Sequence, residues 1–202
     1  MAITSIKTGS SFTNLVKYND FLAGNAAFSP SSYESIASVT AAGGETSLTF
    51  SSIAGTYKHL QIRSLVRSTT SASASSAYMN MNFNGDTGSN YAVHVAGFYG
   101  NNTNNIYGSP SNGNAQIGVA TLGGTAASIF GVAITDIIDY ASTTKYKTVR
   151  DFSGANANTT GAAFAVTLDS SLWMSTSAIT SIAISGLTFA AGSTFALYGI
   201  KG

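Results

Sequence analysis

From Tyr33 onward, apolar side chains recur at every second position, in short runs broken by Gly, Asn, Ser and Asp. Period two marks a strand with one face toward a core; no stretch keeps the 3.6-residue period and the caps of a helix. Residues 47–51 place Leu48 and Phe50 on one face. In residues 57–67, Leu60, Ile62 and Val66 alternate with His59, Gln61, Arg63 and Arg67. In residues 77–84, Met79, Met81 and Phe83 alternate with Tyr78, Asn80 and Asn82. Asn84-Gly85 then supplies the positive φ angles of a tight hairpin turn. Further strands are expected at 91–99, 115–122, 128–140, 146–152, 162–168, 179–185 and 194–200. In the stretch 128–140, Phe130, Val132, Ile134, Ile138 and Tyr140 are read as the core-facing set. The polar stretch 100–114 reads as a loop. About ten strands with turn signals every 8–12 residues predict an all-β chain, a jelly-roll-like antiparallel β-sandwich.

The beginning of the chain differs. Residues 1–30 are read as an N-terminal arm and 31–202 as the sandwich domain, divided at Ser29-Pro30-Ser31. The arm carries Phe12, Leu15, Val16, Tyr18, Phe21 and Leu22, with a short helical turn expected over 13–22. It is either an extra strand or an anchor that docks on a neighbour. No signal peptide is expected, because Lys7 is followed by no apolar run.

Composition narrows the class of job. Charged residues are 8% of 202, with 9 Lys+Arg against 8 Asp+Glu and a net charge of +1. So few cations argue against a nucleic-acid partner. No run is long enough for a membrane-spanning helix, so no membrane partner is expected. There is no cysteine, hence no disulfide framework and no thiolate metal site. The surface is solvated instead by 30 Ser and 24 Thr. Near-zero net charge weakens repulsion between copies and favours assembly.

Chemical motifs are sparse. His59 and His94 lack the spacing of a metal pair, and no metal or cofactor is expected. Asp136 and Asp139 lie near a strand end, with Asp151 as a cross-strand partner for either. Beside Lys145, Lys147 and Arg150 they read as a surface ion-pair cluster rather than as glycosidase carboxylates. The stretch 84–90 offers oxygen ligands to a calcium ion but has one carboxylate and reads as a turn. No G-x-S-x-G or phosphate-binding loop occurs, so catalytic residues are not assigned and the chain is not read as an enzyme. The Ser/Thr-rich run 68–76 reads as an exposed loop tip, and Trp173 as a core or interface anchor. Phe98, Tyr99, Asn101, Asn102, Asn104, Asn105 and Tyr107 concentrate aromatic and amide groups, suited either to glycan or to a sister subunit.

Four phrases are distinctive as strings: Tyr33-Glu34-Ser35-Ile36-Ala37, the stretch Ser52-Ile53-Ala54-Gly55-Thr56-Tyr57-Lys58-His59-Leu60-Gln61-Ile62-Arg63, the turn Phe83-Asn84-Gly85-Asp86-Thr87-Gly88-Ser89-Asn90-Tyr91, and the ending from Gly192 to Gly202. They resemble a β-structured virion protein group of tailed bacteriophages from aquatic bacteria. The likeness spans roughly residues 33–202 and contains no catalytic motif. It implies a capsid decoration (cement) protein, or a head or tail fibre module, on the exterior of a particle assembled in the host cytoplasm. The expected partners are copies of itself, as a homotrimer, and the major capsid or tail protein. The alternatives are a fibre or receptor-binding module on host surface glycan and, third, a polysaccharide-degrading enzyme.

Overall fold

Alternation turns into strands along nearly the whole of the stretch where it was read. The computed structural model describes residues 32–70, 76–100, 103–156 and 164–201. The expected arm, with its helical turn over 13–22, lies outside them. In the unit from Tyr33 to Gly202, the described residues form twelve strands and no helix. These are β1 (Tyr33–Thr40), β2 (Ser47–Phe50), β3 (His59–Val66), β4 (Ser76–Phe83), β5 (Tyr91–Tyr99) and β6 (Thr103–Asn112). The remainder are β7 (Ala115–Thr121), β8 (Gly131–Ile138), β9 (Lys147–Asn156), β10 (Phe164–Trp173), β11 (Ile182–Ser185) and β12 (Thr194–Ile200).

Two antiparallel sheets result. The larger has eight strands in the order β1-β12-β3-β8-β9-β10-β5-β6; the smaller has four, β2-β11-β4-β7. The chain passes repeatedly from one sheet to the other, so spatial neighbours such as β2 and β11, or β3 and β8, are distant in sequence. This is jelly-roll winding. The β8–β9 hairpin is inserted between β3 and β10, and β12 and β1 extend the large sheet beyond β3.

Between the sheets, Leu60, Ile62, Val66, Phe195 and Leu197 of the large sheet meet Met79, Met81, Phe83, Ile117, Ile182 and Ile184 of the small one. Phe83, Tyr91 and Trp173 close one end, with ring centroids 5.4 to 6.4 Å apart. The turn after β4 has the expected positive φ at Asn84 (54°) and Gly85 (73°). Its Asp86 carboxylate accepts Trp173 Nε1–H at 2.7 Å, Gly88 N–H at 2.9 Å and Asn90 Nδ2. The Trp173 bond leads in holding that carboxyl below its ordinary range. The turn reading stands, and its one carboxylate is engaged in seating the core tryptophan.

Three expectations need correction. The stretch 100–114 is not simply a loop, because Thr103–Asn112 is strand β6, paired with β5. It is an edge strand whose polar side chains remain exposed, so no apolar alternation advertises it. Pro110, with no N–H to donate, sits where the β5–β6 register slips, the tolerated place for proline. Second, Val132, Ile134 and Ile138 do not face the core. Ala133, Thr135 and Ile137 do, while Tyr140 is buried as expected. Third, Ser68 is not part of an exposed tip: it is fully buried, and its hydroxyl donates to Thr188 O.

A bulge in β7 links the sheets. Opposite Tyr78 and Met79 the register skips Gly118, which has φ of 27° and turns its N–H toward β9. A Cβ there would lie 2.6 Å from the Ala133 Cβ and 3.2 Å from Met79 Cε. Gly118→Ala is expected to destabilise by about 1–3 kcal/mol, the range for an overpacked core, read as a lower urea midpoint with unchanged slope.

Candidate functional site

The most unusual surface of the molecule comes from reversed polarity in strands β8 to β10. Their inward residues include Thr135, Asp151, Ser153, Thr167, Asp169 and Ser171, all buried. Their outward residues include Val132, Ile134, Phe152, Phe164, Val166 and Leu168, all exposed. A sandwich strand ordinarily puts the apolar set inside.

On the inner side, register places Thr135, Asp151 and Asp169 directly abreast. Asp151 and Asp169 are 0% and 1% exposed. Asp151 accepts the Gly118 N–H at 2.9 Å and the Thr135 hydroxyl at 2.5 Å. Asp169 accepts the Thr167 hydroxyl at 3.3 Å, and its other oxygen has no hydrogen-bond partner. Thr167 also bonds Ser153, whose oxygen accepts Val119 N–H from β7. Burial pushes the Asp151 carboxyl up to about 6, against the opposing pull of its donors. Burial, and then the Asp151 charge beside it, push Asp169 up to about 7. Nearby, the Tyr78 and Tyr99 hydroxyls meet at 2.5 Å, and the Tyr107 hydroxyl donates to Gln116 Oε1. This is a hydrogen-bonded seam between sheets rather than an open acid pair.

On the outer side, the rows run across strands. Ile134, Phe152, Leu168, Ala96 and Ile106 are consecutive partners from β8 to β6. The next row holds Leu65, Val132, Gly154, Val166 and Phe98. Phe98, Phe152 and Ile106 are 59%, 60% and 79% exposed. The row on the other side turns polar, with Gln61, Asp136, Arg150, Ser170 and His94. Here Arg150 pairs with Asp136 at 3.1 Å, and Gln61 Nε2 donates to the same carboxylate at 2.8 Å. A groove of about 670 Å³ straddles this border, lined by His94, Arg150, Ser170, Leu168, Ile106 and Ile138 among others.

The candidate residues fall as follows. Phe12, Leu15, Val16, Tyr18, Phe21 and Leu22 lie outside the described residues, as do Asn101 and Asn102. Phe98 and Tyr99 end β5 and point to opposite faces: Phe98 joins the exposed apolar rows, while the Tyr99 hydroxyl meets Tyr78 between the sheets. Asn104, Asn105 and Tyr107 belong to β6, not to a loop, and Tyr107 is tied to Gln116 of β7. The expected aromatic and amide platform is therefore split by the alternation of a hairpin. The ion-pair cluster forms in part. Asp139 pairs with Lys145 at 2.8 Å and Lys58 at 3.1 Å, which hold its carboxyl down at about 2, and its N–H donates to His59 Nδ1. Asp151 and Lys147 are not in it. Lys147 is buried, and its ammonium donates to Lys145 O and Ser175 O beside the Trp173 ring. Sequence reasoning missed the buried seam and the outer face. The signal was present as alternation in 147–156 and 164–173, but alternation does not say which set faces in.

Among the described residues, no three His, Asp or Glu side chains are grouped to hold a metal ion. Compared with known proteins, the chain matches no family model and no curated protein.

The acid pair makes stability depend on pH. Unfolded aspartate titrates near about 3.9; folded, this pair holds its protons to about 6 and about 7. Between those values the native state binds more protons, so this contribution is complete below the unfolded value and is lost as pH rises through the folded ones. Calorimetry is expected to give a higher thermal midpoint at about pH 5 than at about pH 8, and Asp169→Asn is expected to remove most of that difference.

Proposed function

We propose that the protein acts by assembly, as a structural virion protein of a tailed bacteriophage. In this reading it is a homotrimeric capsid decoration protein whose arm docks on the shell. The observation that carries the reading is the exposed apolar face of β8, β9, β10 and β5. Extended apolar surface on a folded domain marks a site of contact with another macromolecule. The jelly-roll winding, the low charge count and the hydroxyl-rich remainder support the same reading, since a rigid and nearly neutral block suits a repeated lattice position.

The mechanism is mechanical. Apolar area leaving water contributes about 25 cal/mol per Å², against an association cost of several kcal/mol per contact. Many weak contacts held in one assembly then act together. Few charges take part, so attachment depends little on ionic strength.

A fibre or receptor-binding module is the second reading. The groove at His94, Arg150 and Ser170 favours it, because it sets hydrogen-bonding groups beside the apolar Leu168 and Ile106. Electron cryo-microscopy of the particle that carries this protein, with copy counting by mass spectrometry, decides between them. Copies repeated over the head lattice are expected. Copies confined to the tail or one vertex would replace decoration with the fibre reading, and absence from the particle would remove both.

A further inference from the structure

We infer that the outer face of the large sheet is a self-association surface, covered in the assembled protein by a second copy of this chain. The inference rests on the reading that the protein works by assembly, and it names the partner.

The first argument is patterning. Strand register is fixed by which side-chain set is buried, and a slip of one residue exchanges the two faces. In β9 and β10 such a slip would bring Phe152, Val166 and Leu168 inside and put Asp151 and Asp169 in water. The fold does the opposite, and the buried seam holds it there through Gly118 and Thr135. Apolar groups held outward by a buried polar network, aligned row by row across neighbouring strands, form a second face built for covering.

The second argument is area. Nine large apolar side chains from β3, β8, β9, β10, β5 and β6 stand about half exposed on this face. At roughly 150–200 Å² for each when fully exposed, they present on the order of 800 Å². The largest apolar patch of a typical monomer is about 300–600 Å². A standard specific interface buries about 800 Å² on each partner, so this face alone meets the requirement of a stable pair.

Charge selects the occupant. A nucleic acid or an anionic membrane calls for a field of cations, but Arg150 at the border is neutralised by Asp136. Arg63 of β3, exposed beside Ile134 on the same face, is a second cation and lies against the Tyr33 and Tyr198 rings. Two separated cations make no such field, and the Arg150–Asp136 pair at the border is complementary to the same pair of another copy. The chain's net charge of +1 adds almost no repulsion between copies.

Sedimentation velocity on the full chain tests this, together with Phe152→Glu, Leu168→Glu and Thr49→Glu. The last adds the same charge to an exposed position on the small sheet. The wild type and Thr49→Glu are expected to sediment as a defined multiple of 20.6 kDa. Each face variant is expected to associate at least about thirty-fold more weakly, the effect of losing an interface hot spot, with unchanged far-ultraviolet circular dichroism. A monomeric wild type, or face variants that associate as the wild type does, would overturn the inference. Should the face variants fail to fold, hydroxyl-radical footprinting of the wild type decides it. Phe98 and Phe152 are expected to be protected at high concentration and oxidised on dilution, and equal oxidation at both would overturn it. The virion reading fails separately, by absence of the protein from purified particles.

Discussion

The carboxylate of Asp151 is the point on which the two sheets turn. It lies between β9 and the bulge of β7, and it joins the Gly118 N–H of one sheet to the Thr135 hydroxyl of the other. A buried polar group is tolerable only when its partners are supplied, and leaving one unsatisfied costs about 1–3 kcal/mol. The bulge at Gly118 has that purpose. A regular β7 strand would spend the N–H on its neighbour in the ladder. The irregularity frees it, and only a residue without Cβ fits against Ala133. Serines and threonines of β9 and β10 complete the seam, so this part of the sandwich is joined by directed bonds where its other end is joined by Met, Ile and Phe.

That choice has a consequence on the opposite face. In a strand, the positions next to the inward ones must point outward, and in β8 to β10 those positions carry the apolar side chains. Among the described residues, no second layer lies on the outer face of the large sheet, and its apolar side chains stand exposed. A face that lacks a layer and is still patterned like a core calls for a layer from elsewhere. The low charge of the chain and its abundance of hydroxyls fit the same picture, because they permit close approach of neutral surfaces without costly stripping of hydration from ions.

Much of this architecture was legible in the residues. Leu60, Ile62 and Val66, or Met79, Met81 and Phe83, alternate with polar partners, so both the strand and its buried face could be read. In β8 the alternation was equally clear, yet Val132 and Ile134 were assigned to the core, because period two defines two sets and not their direction. Direction came from tertiary contacts, namely the bulge of β7 and the Asp151 carboxylate it satisfies. Strand β6 left no trace, since an exposed edge strand with Asn, Ser and Gly lacks an apolar stripe. Asp151 was noticed only as one acid among surface charges; that it is buried depends on register with Thr135 and Asp169, which no local pattern encodes. Phe98 and Tyr107 were read together in one contact loop, but the hairpin sends Phe98 to the outer face and ties the Tyr107 hydroxyl to the small sheet.

Stability and the proposed association are therefore linked through the same strands. Hydrogen bonds contribute modestly to net stability, because each replaces one made with water, whereas apolar burial is the dominant favourable term. By turning Phe152, Val166 and Leu168 outward, the fold forgoes within one chain the burial that those groups would supply between chains in the proposed assembly. An isolated copy thus rests on the apolar end of its sandwich, around Phe83, Tyr91 and Trp173, and on the seam at Asp151. Covering the outer face with a second copy, as proposed, would add the withheld burial, and mass action would convert it into stability that grows with protein concentration. The acid pair sits on the far side of the same three strands, so the register that satisfies Asp151 is also the register that presents the apolar rows. Any change that lets β9 and β10 slip by one residue would lose both at once.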